Sequence, residues 1–303
     1  MERGSERVRE RMQRKRIGKS AFVDLGLFLS LSRALALPLA LLLSACVPVE
    51  ELPPGLVPTA PSAGATGKGF PGLEPGFLTV TSMHFTLQGY SQQDLDALKQ
   101  AAEDIYNKIG SDTGLYTFLA SGNYTLVEYK DQDEYLKKTQ QPVWSHAVTS
   151  GKGIYFYPDP VLIPNLAHQM VHMLFETYLG DKAAPYKWLE EGLAMNEELS
   201  RMTDSDKTAY ANSKATHLHQ NYMPFSQMTF FVTNTEEKRL TDAWFQQVES
   251  VVTYLLSQGS SLGFAQFLGE LKNGTDLDRA LSDAYPGKFR SMNDLEAAWK
   301  YTI

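Results

Sequence analysis

A pair of histidines four residues apart constrains this chain more than any other feature of its sequence. His168 and His172 lie in the segment HQMVHMLFETYL, and the apolar spacing over residues 164–179 predicts a helix there. Residues four apart project from the same face of a helix, about one turn from each other. Two imidazoles placed in this way can bind one tetrahedral metal ion, so a single helical turn supplies half of a zinc site.

A second predicted helix, over residues 185–199, offers the third ligand. Glu191 lies in the segment WLEEGLA, and eighteen residues separate it from His172. A carboxylate from a neighbouring helix would complete a set of three protein ligands. The alternative is two ordinary helical histidines and an exposed glutamate, and for a bare histidine pair that alternative is the commoner one. The two interpretations differ in whether the two helices pack with these side chains facing each other.

At these residues the chain resembles the gluzincin zinc metallopeptidases, whose pattern is H-E-x-x-H, eighteen residues and a glutamate inside W-L-x-E-G. Within that group it is most similar to the peptidase-MA-like family, over roughly residues 80–303. The segments SMHFTL, WSHAVTSGKGIYFYP, VESVVTYLL and LKNGTDLDRAL have counterparts in that family. The resemblance implies a zincin-like fold and Zn²⁺ bound by His168, His172 and Glu191. It also implies peptide hydrolysis as the reaction and an extended peptide or protein segment as the partner.

Gln169 stands where the family has its catalytic glutamate. That glutamate takes a proton from the zinc-bound water and passes it to the leaving amine, which requires a basic carboxylate. An amide has no such basicity, and loss of a general base typically costs about a hundredfold to ten-thousandfold in rate. Gln169 is not a ligand, so the sequence predicts a zinc site without an efficient base. Glu190 is not expected to substitute, because one residue along a helix turns a side chain by about a hundred degrees.

The strand before the first zinc helix is the candidate substrate-binding element. In gluzincins this is an edge strand, along which an extended peptide can lie by main-chain pairing. The resemblance places Ile154, Tyr155 and Phe156 in that role. The alternative is that these apolar and aromatic residues belong to the core.

Three further positions have roles that the sequence leaves open. By the resemblance, Phe245 occupies the place of an oxyanion-stabilising tyrosine, and because phenylalanine has no donor, Tyr222 or Tyr254 could serve instead. Glu176, one turn beyond the second histidine, could orient that imidazole or lie in solvent. His217, like the histidine two residues after it, is expected in solvent rather than in a second metal site.

The first forty-five residues have the order of an export signal. A stretch rich in Arg and Lys precedes the apolar run of residues 34–43, which ends in Leu-Ser-Ala before Cys46. This tetrapeptide resembles a bacterial lipobox, which implies cleavage before Cys46 and acylation of its thiol. The protein is therefore expected at the bacterial cell envelope, lipid-anchored to a membrane on the extracytoplasmic side. A retained transmembrane helix is the weaker alternative, because ten apolar residues are too few to span a bilayer.

After the signal, the chain divides into a tether and one domain. Residues 46–75 are dense in Pro, Gly, Ala and Ser without a hydrophobic period, which predicts a flexible tether. Residues 76–303 are predicted to form an α+β domain with a mixed α/β part (76–160) and a mainly helical part with the zinc site (161–303). Strands are predicted over 77–87, 124–129 and 154–157, and helices over 94–109 (closed by Gly110), 133–138, 164–179, 185–199, 206–218, 241–258, 261–272, 276–284 (with Thr275 as N-cap) and 293–301.

Charge and cysteine content exclude several classes of protein. The net charge is −7 overall and −12 beyond residue 45, so a phosphate-binding patch is not expected and nucleic acid is excluded as a partner. The single cysteine excludes a disulfide framework within the chain and a cysteine-based zinc cage.

Three functions remain compatible with these residues. The first is a degenerate metallopeptidase that keeps zinc and binds peptides or proteins as an envelope lipoprotein. The second is an active zinc metallopeptidase of low or unusual activity, in which another group supplies the base. The third is a structural lipoprotein without a metal.

Overall fold

The computed structural model describes residues 67–116, 123–231 and 238–303. The predicted signal peptide, Cys46 and residues 46–66 of the predicted tether lie outside the described residues. Within these ranges, no helix is both long and apolar enough to cross a membrane.

The described chain is an α+β structure, as predicted, with a mixed sheet in its first part and mainly helices in its second part. The strands are β1 (Leu78–Thr81), β2 (Phe85–Gly89), β3 (Tyr124–Glu128), β4 (Ala147–Ser150) and β5 (Gly153–Phe156). The helices are α1 (Gln92–Thr113), α2 (Gln132–Thr139), α3 (Leu162–Leu179), α4 (Lys187–Ser200), α5 (Asp204–Asn221), α6 (Phe225–Met228), α7 (Lys238–Gln258), α8 (Ser261–Asn273), α9 (Leu277–Ala284) and α10 (Met292–Lys300). Two short 3-10 helices, Gly180–Lys182 and Ala184–Tyr186, connect α3 with α4.

The order of the strands in the sheet is β1-β2-β3-β5-β4, which places β4 at one edge. Strand β5, with Ile154, Tyr155 and Phe156, pairs in parallel with β3 and antiparallel with β4. The prediction that these three residues form an edge strand is therefore wrong. A two-residue turn joins β4 to β5, and Gly151 in that turn has a φ of 59°, which favours glycine. The chain thus doubles back, and the strand just before α3 becomes an interior one.

The two faces of the sheet contact separate apolar clusters. Ile154 and Phe156 belong to the main core, together with side chains of α1, α3 and α4. Tyr155 and Tyr157 point to the opposite face and join a smaller cluster rich in tyrosine. Successive residues of a strand face opposite sides, so β5 is buried on both. This arrangement confirms the alternative that the aromatic residues of β5 belong to the core.

Residues 67–75, the last part of the predicted tether, lie against the tyrosine-rich face. Phe70 packs edge-on against Tyr155, with ring centroids 5.2 Å apart. The hydroxyl of Tyr129 donates a hydrogen bond of 2.7 Å to the carbonyl of Pro71. The contacts of the domain therefore begin before residue 76, where the sequence placed its start.

Two predicted helix ends differ from the structure. Helix α1 continues through Gly110 and ends at Gly114, whose φ of 73° allows its N–H to donate to the carbonyl of Gly110. A glycine ends a helix when it takes this left-handed conformation, not by its presence alone. The N-cap of α9 is Asp276 rather than Thr275, because its carboxylate accepts hydrogen bonds from two N–H groups of the first turn.

Helix α4 packs between α3 and α7, and Gly192 marks its contact with α7. A Cβ atom at this position would lie 2.4 Å from the carbonyl oxygen of Val248 and 2.6 Å from a methyl group of Val252. The two helices can approach this closely only because residue 192 has no side chain. The glycine in the segment WLEEG thus allows α7 to pack directly on the helix that carries Glu191.

Candidate metal centre

The side chains of His168, His172 and Glu191 converge at the contact between α3 and α4. Each offers one ligand atom, and these atoms all lie within 4.8 Å of one another. Oxygen Oε2 of Glu191 is 3.6 Å from Nε2 of His168 and 3.6 Å from Nε2 of His172. Elsewhere in the described ranges, no comparable group of histidine, cysteine and carboxylate ligands is found.

Both imidazoles are held through Nδ1 by glutamates of α4. Nδ1 of His168 lies 2.8 Å from Oε2 of Glu198, and Nδ1 of His172 lies 2.6 Å from Oε1 of Glu190. An Nδ1–H that donates to a carboxylate leaves the lone pair of Nε2 available for a metal ion. Because residue 168 pairs with 198 and residue 172 with 190, the two helices run in opposite directions at the site.

The centre is buried and carries strong opposing charges. His168, His172 and Glu191 are 1%, 2% and 7% exposed. Burial alone would raise the pKa of Glu191, but the ammonium of Lys187 and the two imidazoles lower that pKa well below its usual range. Burial likewise opposes protonation of His168, whereas Glu191 and Glu198 raise its pKa to about 9. The pocket therefore stabilises positive charge at the point where the ligand atoms meet.

The residues present fit a zinc ion. Two imidazole nitrogens and one carboxylate oxygen form a donor set typical of zinc sites with an open fourth position. Nε2 of His168 is buried and has no hydrogen-bond partner. A buried polar atom without a partner is unfavourable, and a metal ion at this point would satisfy it. The sequence predicted these three residues as ligands, and the structure brings all three together.

Gln169 follows His168 on α3 and is completely buried. Its main-chain carbonyl oxygen accepts a hydrogen bond of 2.9 Å from the hydroxyl of Thr149 in β4. This bond ties the edge strand directly to the helix that carries both histidines. Gln169 thus directly follows a candidate metal ligand in the chain, on a segment that β4 holds in place.

The carboxylates that orient the histidines are not the one suggested by the sequence. Glu176 was a candidate for His172, but Glu190 makes that contact, and Glu198 makes the equivalent contact with His168. A signal for both was present in the sequence, because α4 carries two pairs of adjacent glutamates seven residues apart, about two helical turns. Glu176 instead contributes to the electrostatic field at Lys187.

The tyrosines considered for the oxyanion are engaged elsewhere. Phe245 is buried against Trp244, with ring centroids 5.0 Å apart. The hydroxyl of Tyr222 donates to Glu296, and the ring of Tyr254 packs against a phenylalanine of the C-terminal part. None of these contacts involves the three ligands or the glutamates that orient them.

The expectation for His217 is wrong in part. Its side chain is buried, and its Nδ1 lies 2.8 Å from Oε1 of Gln246 in α7, whereas His219 is exposed. The packing of α5 on α7 encloses His217, which the sequence pattern of α5 alone did not indicate. Neither histidine belongs to a second metal group within the described residues.

No model of a known protein family and no curated protein sequence matches this chain. The residues of the centre therefore carry the functional conclusion by themselves.

Proposed function

We propose that this chain is a zinc-binding protein with a zincin-like fold of the gluzincin type, related to the peptidase-MA-like family. We propose further that it binds an extended peptide or protein segment and hydrolyses peptides poorly or not at all. One observation carries the proposal: a buried set of two histidines and one glutamate whose ligand atoms lie within 4.8 Å.

A zinc ion bound here would polarise a carbonyl and lower the pKa of a bound water. The residues of the chain would then orient the metal ligands. Glu190 and Glu198 hold the imidazoles. By the resemblance, Gln169 stands where the family has its general base. A neutral amide can donate or accept a hydrogen bond, but it cannot take a proton from water at neutral pH. Metal binding is thus retained, while the proton transfer that hydrolysis requires lacks its base.

The edge strand β4, and not β5, would bind the peptide. Within the described part of the chain, β4 has β5 on one side and no strand on the other. An unpaired edge can accept an extended segment through main-chain hydrogen bonds. All four residues of β4 are at most 1% exposed, so binding there requires a local opening of the chain around this strand. The bond from Thr149 to residue 169 would bring such a peptide beside the metal ligands.

The N-terminal sequence supports a location of the protein at the cell envelope. We propose that acylation of Cys46 anchors the domain at the bacterial cell envelope, facing away from the cytoplasm. Replacement of Cys46 by Ser should move the protein from the membrane fraction to the soluble fraction and remove the lipid mass from the mature protein. A membrane-bound Cys46→Ser variant would argue instead for a retained apolar segment.

The test of the central proposal combines metal analysis with a peptide-cleavage assay. The purified full-length chain should contain one zinc ion, and His168→Ala should lose it. The Gln169→Glu variant should cleave peptides about a hundredfold to ten-thousandfold faster than wild type, because it restores a base. If wild type cleaves as fast as this variant and His168→Ala abolishes cleavage, another group serves as base and the chain is an active metallopeptidase. A chain that binds no zinc would remove the proposal altogether and leave a structural lipoprotein.

A further inference from the structure

Lys187 contacts two carboxylates of the metal centre. It is the first residue of α4, so residues 190 and 191 lie one turn further along the helix. Its ammonium nitrogen is 3.4 Å from Oε2 of Glu190 and 3.1 Å from Oε1 of Glu191. The side chain of Lys187 is 40% exposed, whereas the side chains of the two glutamates are 3% and 10% exposed.

The two oxygens of Glu191 have different partners. Oε2 is the oxygen that lies 3.6 Å from each of the two Nε2 atoms. Oε1 points instead to the ammonium of Lys187. A hydrogen bond between two charged groups is about twice as strong as one between neutral groups, so Lys187 holds the carboxylate against rotation. Only one oxygen of Glu191 is then directed toward the metal position.

We propose that Lys187 is a positioning residue that makes Glu191 bind through Oε2 alone, and that it thereby favours a four-coordinate ion such as Zn²⁺ over larger ions. This inference depends on the metal centre proposed above. Zinc in proteins takes few ligands in a tetrahedral arrangement, whereas Mn²⁺ prefers octahedral sites rich in oxygen. A carboxylate released from Lys187 could offer both oxygens, which would add the ligand that Mn²⁺ requires. Lys187 therefore acts on selectivity through Glu191, without touching the ion itself.

The charge of Lys187 also acts directly on the affinity for metal ions, apart from its effect on the orientation of Glu191. A cation near the site repels every divalent ion, so its removal should raise the affinity for Zn²⁺ and Mn²⁺ by a similar factor. The ratio of the two dissociation constants cancels this common effect. A change in the ratio thus reports the way in which Glu191 binds.

The experiment measures the Kd values of Zn²⁺ and Mn²⁺ by competition with a chelator, for the full chain and three variants. Lys187→Met keeps the apolar stem and removes the ammonium. Lys187→Arg keeps the positive charge and its donors. Lys182→Met is the matched control, since it removes a lysine that precedes α4 in the chain and whose ammonium bonds to the carbonyl of Lys272 rather than to a ligand.

In Lys187→Met the ratio of the Mn²⁺ to the Zn²⁺ dissociation constant should fall about tenfold, in the range seen for changes to groups that orient metal ligands. The ratio should stay unchanged in Lys187→Arg and Lys182→Met. Substitution with Co²⁺ gives an independent readout, because visible absorption is intense for tetrahedral and weak for higher coordination. The spectrum of Lys187→Met should weaken, and that of Lys187→Arg should match wild type. If Lys187→Met does not fold, as judged by circular dichroism, Lys187→Gln carries the same test.

Different results would overturn the role of Lys187 and the metal centre itself. If wild type binds Zn²⁺ and the ratio and Co²⁺ spectrum are the same in all variants, the role of Lys187 is overturned while the metal centre stands. A ratio that falls equally in Lys182→Met would also overturn it, because the change would then not depend on the contact between Lys187 and Glu191. If wild type binds no divalent ion, the metal centre itself is overturned.

Discussion

Helix α4 carries two pairs of adjacent glutamates, and the two pairs have different surroundings. Glu190 and Glu191, near its start, have the ammonium of Lys187 as well as imidazoles within ion-pair distance. Glu198, in the second pair, contacts one imidazole through Oε2. Glu197 is fully buried, and neither oxygen of its carboxylate has a hydrogen-bond partner.

The ionisation of the two pairs follows from this difference. Countercharges lower the pKa of Glu191 in spite of its burial. Burial dominates at Glu197 and raises its pKa to about 6, with Lys108 and Arg201 opposing and Asp112 reinforcing that shift. The pKa of Glu198 is also raised, mainly by burial, although its bond to His168 opposes the shift. Nearby cations, rather than exposure, thus keep a buried carboxylate charged and ready to bind a metal ion.

Removing the charge of one carboxylate in each pair should separate the two pairs most clearly. Glu191→Gln should lower Zn²⁺ affinity by more than about a hundredfold, because it removes a ligand and not only a supporting group. Glu197→Gln should leave zinc content unchanged. Metal analysis of both variants after dialysis checks the contrast. Equal loss of zinc in the two variants would mean that the pairs do not differ in function.

A smaller effect is expected at Glu198, which connects the second pair with the metal centre. Glu198→Gln should weaken Zn²⁺ binding by about tenfold, because an amide holds Nδ1 of His168 less strongly than a carboxylate does. Chelator competition measures this change, and Glu197→Gln again serves as the neighbouring control. An affinity equal to wild type in Glu198→Gln would show that the orientation of His168 does not depend on this bond.

The smallest expected effect is a dependence of stability on pH at Glu197. Its folded-state pKa of about 6 lies above the ordinary value of 4.5, so the folded state binds more protons between these two values. Stability should therefore fall by about 1 to 2 kcal/mol as pH rises from 4.5 through 6, and this loss is complete above the higher value. Glu197→Gln should not show this loss.

The measurement compares urea unfolding of metal-free wild type and Glu197→Gln between pH 4 and pH 8, which is roughly the window in which these carboxyls titrate. The difference between the two free energies of unfolding isolates Glu197 from Glu128, whose burial raises its pKa to about 7. A difference that does not vary with pH would show that Glu197 titrates as it does in the unfolded chain.

Much of the fold was predictable because helices and strands have local signals. Apart from the four-residue helix α6, the helices of the C-terminal part occur where apolar spacing indicated them, within a few residues at their ends. The errors fall where an end depends on backbone conformation, as at Gly114, where two strands were predicted as one, as at β1 and β2, or where a strand was not predicted, as at β4. A pattern of residue types does not distinguish an edge strand from an interior strand when both are buried.

The amino-acid sequence was enough to predict which residues can meet at the metal centre. The spacing of His168 and His172 and the position of Glu191 follow from the period of a helix and from the resemblance to gluzincins. The packing of the elements was needed to learn which carboxylates orient the histidines, which strand is the edge, and that Lys187 contacts one oxygen of Glu191. The reason is physical: a helical period is local to the chain, whereas these contacts depend on how separate elements pack.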